Sequence, residues 1–144
     1  MLSHTNHEAP MKATAIRESG YRHTIKIRGH ELTVDERTEM GGSDAGPEPL
    51  ELLAASLASC TAVTMEMYAS RKGWEIGGVE VTCDYTPADR GCPTRFNLVM
   101  RFPEELSEDQ VERLRVIAAK CPVHRTLDGE VMFDERVERV TLAH

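Results

Sequence analysis

Fourteen consecutive uncharged residues, LLAASLASCTAVTM at positions 52–65, lie between Glu51 and Glu66. Helix punctuation frames the run. Pro47 and Pro49 open it, with Pro49 suited to a first turn, helical composition continues to about Lys72, and Gly73 ends it. A helix that is apolar on every side has no face to give to water and must be covered, yet the run is shorter than the roughly 20 apolar residues a membrane span requires. The segment is therefore expected to be a long buried central helix, and the remaining elements must supply its cover.

Upstream, Lys12–Arg17 and Tyr21–Arg28 read as strands separated by Glu18-Ser19-Gly20, and Leu32 and Val34 alternate as Ile25 and Ile27 do. A three-stranded meander follows, with a tight turn at Arg28-Gly29-His30-Glu31 in which glycine comes first. Residues 41–46 read as a flexible connector without a phosphate-binding pattern, and polar residues 1–10 as a disordered arm. Downstream of Gly77-Gly78 the period changes to two. Val79, Val81, Cys83 and Tyr85, and then Phe96, Leu98, Met100 and Phe102, mark the strands of a hairpin. Ser107 and Gln110 form a capping-box signature before a helix whose apolar face carries Val111, Leu114, Ala118 and Cys121. Cys121-Pro122 restarts a short helix towards Leu127, and residues 131–142 read as a last strand with an irregularity near Glu138. The order is βββ-α-ββ-α-α-β, an α+β class.

With 144 residues, the chain suits one domain, spanning 11–144. Its net charge of -7 lacks any basic run, and aromatics make up only 5%, so neither a phosphate backbone nor stacked bases are matched and no nucleic acid partner is expected. No membrane partner is expected either. The first ten residues have no basic, apolar leader pattern, which predicts a cytoplasmic protein, and in that reducing compartment the four cysteines read as thiols rather than staples.

Cys60 lies midway along the central helix, on the face of Leu53, Ser56, Val63, Thr64 and Met67. By itself it suits a small core hydrophobe as well as a reactive thiol. Cys121 ends one helix just before a proline that starts another, so it is either a plain cap or a thiol facing the free N–H groups of the new first turn. His124 completes a single C-x-x-H with no second pair, too little for a zinc site; no metal and no cofactor are expected. Cys83 on its strand and Cys92 near the hairpin tip are too far apart to pair and read as spectators.

The stretch GPEPLELLAASLASCTAVTMEMYASRKGWEIGGVEV followed by AAKCPVHRTL resembles the OsmC/Ohr family, the osmotically induced and organic hydroperoxide resistance proteins, over essentially residues 12–142. The resemblance implies an intertwined homodimer whose central helices pack back to back. It also implies thiol-dependent reduction of an organic hydroperoxide, a stress-response peroxidase activity. Carried over, Cys60 is the thiolate that attacks the peroxide and Cys121 resolves the sulfenic acid to a disulfide, which a dithiol or lipoyl-type reductant reopens. A redox-switch or apolar-ligand-binding dimer of the same fold, without turnover, is the alternative.

The family pattern places a glutamate ten residues before the first cysteine, paired to an activating arginine. This chain has Leu50 there, and Glu51, one residue on, falls on the opposite side of an ideal helix from Cys60. Arg17, Arg22, Arg28 and Arg37 are the candidate arginines, and without the full clamp the Cys60 thiolate is expected to be less stabilised.

Overall fold

The computed structural model describes residues 11–141; the expected arm at 1–10 lies outside the described residues. The chain is α+β, with three strands, one 3-10 turn, a long helix, two strands and two shorter helices in that order. It divides into two compact units, one up to Ala54 and one from Ala55, so the boundary falls inside the long helix.

In the first unit, β1 (Thr14–Ser19), β2 (Arg22–Ile27) and β3 (His30–Val34) form the expected antiparallel meander in sequence order. Ile25 stands opposite Leu32 and Ile27 opposite His30. That register shifts the two-residue loop to Arg28-Gly29, one residue earlier than expected, and Arg28 rather than glycine takes the positive φ of 55°. Pairing the apolar residues across the ladder outweighs the turn preference.

Residues 41–46 are not the flexible connector their composition suggested. The buried Asp35 carboxylate accepts backbone N–H groups from Glu36 at 2.7 Å and from Ser43 and Ala45, each at 3.1 Å. These bonds, led by that from Ala45 and opposed by burial, hold its pKa below the usual carboxylate range. At Gly42 a Cβ would collide with the Glu36 carbonyl, so the close chain crossing requires glycine.

α1 (Pro49–Lys72) has the bounds its prolines and Gly73 dictate, with Gly73 leaving at φ 71°. In the second unit one stripe of it is buried, Leu57, Thr61, Met65 and Ala69, each four residues from the last. Met65 and Ala69 pack with Ile76, Leu114 and Ala118, flanked by Trp74, Val81, Met100 and Phe102. The helix is therefore not enclosed on every side: Val63 is 43% and Met67 58% exposed. By length and composition α1 also passes for a membrane span, although the uncharged run alone is too short, but its buried stripe is engaged in a protein core.

β4 (Glu80–Thr86) and β5 (Arg95–Arg101) pair as a hairpin with Cys83 opposite Leu98, one position from the Asn97 expected. α2 (Glu108–Ala118) starts on the expected capping box, Ser107 accepting the Gln110 N–H while Gln110 reaches back to the Ser107 N–H. α3 (Pro122–Leu127) follows directly, with Cys121 as its cap.

The last strand is the element that the chain does not form. Residues 130–141 have no regular secondary structure, and Leu142 lies outside the described residues. Alternating residues supply the side chains of a strand but not its hydrogen-bonding edge, and no strand among the described residues pairs with this segment. Val131, Met132, Phe133 and Val137 are consequently exposed.

Fully buried Leu114 fills the space between α2 and α1, so Leu114→Ala should lower the unfolding free energy by about 2–5 kcal/mol. Urea denaturation checks this, and a loss under about 1 kcal/mol would contradict the packing described.

Candidate thiol site

α1 and α2 run antiparallel, and the junction after α2 brings the two motif cysteines together. Cys60 stands on the α1 face adjoining the buried Thr61–Met65 stripe; Cys121, wholly buried, ends the α2 stripe that begins with Leu114 and Ala118. They are close enough for the Cys121 thiol to oppose ionisation of Cys60. Both are free, as are Cys83, which is half-buried, and Cys92, which is exposed.

The first turn of α3 is divided between the two sulfurs. Cys121 Sγ accepts the His124 N–H at 3.4 Å, and the Val123 N–H points to Cys60. This is the arrangement that a Cys-Pro helix junction permits: proline occupies the first position without an N–H, and the next two N–H groups are left for acceptors outside the helix. His124 thus contributes its backbone, and among the described residues no group of three His, Cys, Asp or Glu converges on a metal-sized space.

Thr64 is the functional neighbour that sequence reasoning placed on the Cys60 face without giving it a role. Its hydroxyl, one turn on from Cys60, favours the Cys60 thiolate, whereas Thr61 bonds back to the Leu57 carbonyl at 2.7 Å as helical threonines ordinarily do. Burial and the Cys121 thiol push the Cys60 thiol up from its ordinary value; the Val123 N–H and the Thr64 hydroxyl pull it down, and the balance is upward. None of these influences is a cation.

The candidate arginines and acids have other duties, all in the first unit. Arg37 Nε pairs with Glu48 Oε1 at 3.1 Å, and Glu36, pushed up by burial and by adjacent Glu48, completes that cluster. Arg17 donates to the Gly20 carbonyl and Arg22 to Ser19 Oγ. Arg28 occupies the β2–β3 turn. Glu51 accepts the Glu48 N–H at 2.8 Å, a capping bond at the start of α1. A cavity of about 320 Å³ lies in the same unit, lined by Glu18, Arg22, Thr24, Thr33 and Ala45 and without a thiol.

These observations can be set beside known proteins. A family model described as OsmC-like protein matches residues 41–136. Among solved structures, an OsmC-like protein from Mycoplasma pneumoniae superposes with a TM-score of 0.69 at 23% identity, over 85% of this chain and 90% of that one. An organic hydroperoxide resistance protein from Elizabethkingia anophelis gives 0.67 at 20% identity, over 87% and 92% of the two chains. The organic hydroperoxide resistance protein OhrB of Bacillus subtilis gives 0.59 at 20% identity, over 84% and 92%. A comparison with curated proteins gives no match.

The balance at Cys60 has a measurable consequence. In a protein with Cys83 and Cys92 replaced by serine, the pH midpoint for alkylation of Cys60 by iodoacetamide should lie above that of free cysteine. Thr64→Val should move it higher, and Thr64→Ser should restore it. Because only the thiolate reacts, the rate should rise from neutral into alkaline pH. A midpoint below that of free cysteine would contradict this site.

Proposed function

The chain belongs to the OsmC-like protein family, and from that premise we propose that it reduces organic hydroperoxides through Cys60 and Cys121. The observation that carries this reading is the proximity of the two motif thiols, of which only Cys60 is open to solvent. A peroxide arriving from solvent meets Cys60 first, and the buried sulfur is already in place to react second.

The Cys60 thiolate attacks the terminal oxygen of the hydroperoxide and the O–O bond breaks. The alkoxide takes a proton and leaves as an alcohol, while Cys60 becomes a sulfenic acid. The Cys121 sulfur then attacks the Cys60 sulfur, a disulfide forms and water departs. A dithiol or lipoyl-type reductant returns both thiols by exchange. Proximity of Cys121 protects the sulfenic acid from further oxidation. The Val123 N–H and the Thr64 hydroxyl favour the thiolate in place of the family's glutamate-paired arginine, and the net upward push on the Cys60 thiol makes the reaction modest at neutral pH.

The working form is a homodimer in this reading. The exposed α1 residues Val63 and Met67, and the unpaired apolar segment containing Met132 and Phe133, require apolar cover and strand pairing that a second copy supplies. Light scattering should give twice the 16.1 kDa chain mass at micromolar concentration, and a monomer would count against it.

One equivalent of cumene hydroperoxide should convert reduced protein to a Cys60–Cys121 disulfide, and a dithiol should sustain turnover. Cys60→Ser should abolish both, and Cys121→Ser should permit the first oxidation only. Peptide mapping that placed Cys83 or Cys92 in the main disulfide would refute the assignment. A disulfide formed without turnover would favour the redox switch.

A further inference from the structure

Above the thiol pair, the same two helices hold a cationic cluster that the reaction as described does not use. Arg113 of α2 donates Nε–H to Tyr68 Oη of α1 at 2.9 Å. Its guanidinium carbon lies 5.8 Å from the Tyr68 ring centre, and Lys72 Nζ lies 5.7 Å from it. Trp74 stands edge-on to the same ring at 5.7 Å. The influences that act on Arg113 are Tyr68 and burial, with no carboxylate among them, and Arg113 and then Lys72 make the Tyr68 phenol more acidic than usual. In a chain of net charge -7, two cations gathered on one phenol without an acid among the described residues are an opening for an anion.

The cluster is in register with the sulfurs. Tyr68 is eight residues after Cys60 and Arg113 eight residues before Cys121, so the antiparallel helices pair at both places. At about 1.5 Å per residue the two are about 12 Å apart. Half-buried Thr64 and Ile117 stand at the midpoint, four residues from each end on α1 and α2. With C–C bonds of about 1.5 Å in a zigzag, an extended chain of roughly nine carbons covers this distance.

We propose that Arg113, with Lys72 and Tyr68, anchors the carboxylate of an amphiphilic substrate whose apolar chain runs along Thr64 and Ile117 and whose hydroperoxide group reaches Cys60. The residues are specificity determinants: they bind the remote end and take no part in bond breaking. The proposal deepens the peroxidase reading and rests on it for the word substrate, but the anchor can be tested without turnover.

Trp74 is the chain's single tryptophan and touches the cluster, so its emission reports occupancy in the full-length, reduced protein. Titration with decanoate should change that emission saturably. Decan-1-ol, the chain without the charge, and acetate, the charge without the chain, should each need at least about tenfold more, the worth of one partly exposed charge-assisted contact. Arg113→Gln should remove the advantage of decanoate, and high salt should shrink it. If decan-1-ol or acetate matches decanoate, or if decanoate gives no saturable change, the anchor is wrong. For turnover, the kcat/KM ratio of 9-hydroperoxyoctadecadienoic acid to its methyl ester should be about ten and fall towards one in Arg113→Gln. Decanoate binding with no turnover of either hydroperoxide, or of cumene hydroperoxide, would keep the carboxylate anchor and overturn the peroxidase reading instead.

Discussion

The antiparallel packing of α2 on α1 is the constraint on which the second unit depends. Met65 and Ala69 on one helix and Leu114 and Ala118 on the other bury each other, and the register they set places residues before and after them in pairs. Cys121 follows Ala118 by less than one turn and so comes to rest against Cys60. At the far end the same register sets Arg113 on Tyr68. The sulfur pair is thus a product of core packing: apolar burial, with Met65 and Leu114 each contributing roughly 1.5–3 kcal/mol, fixes the separation of two groups that are distant in the sequence.

The electrostatics of the pair follow from its position. A half-buried thiol beside another thiol resists ionisation, and two kinds of donor oppose that resistance here: backbone N–H groups freed by the Cys121-Pro122 junction, and the hydroxyl of Thr64. Leu50 and Glu51 explain why such donors matter. Leucine supplies no carboxylate at position 50, and Glu51 is spent on capping α1 through the Glu48 N–H. Arg37, the arginine with a carboxylate partner in the first unit, is held by Glu48.

What could be read from the sequence was local. Pro49 and Gly73 bounded α1, Ser107 and Gln110 started α2, and the Cys121-Pro122 junction marked the start of α3, because each signal acts within a few residues. The α+β class followed from the same period changes. What escaped was decided by partners distant in the chain. Residues 41–46 have the composition of a flexible loop, and only the N–H groups gathered by Asp35 make the turn a tight one. The alternation at 131–140 is real, but a strand also needs an edge to pair with, which no periodicity reveals. Helical spacing put Thr64 on the Cys60 face but not its effect on the thiol, and the Tyr68–Arg113 contact was out of reach because it depends on the register between helices. Cys60 and Cys121 could be named only through the motifs around them; spacing alone left each of them ambiguous.

The central claim is that Cys60 is a nucleophile tuned by its neighbours and not a buried spectator. Its second-order rate constant with an organic hydroperoxide, measured by competition kinetics in Cys121→Ser and divided by the thiolate fraction at the same pH, tests this most directly. The account predicts a value per thiolate above that of free cysteine, because a positioned site lowers the barrier of the thiolate it does form. A value equal to or below that of free cysteine would contradict it.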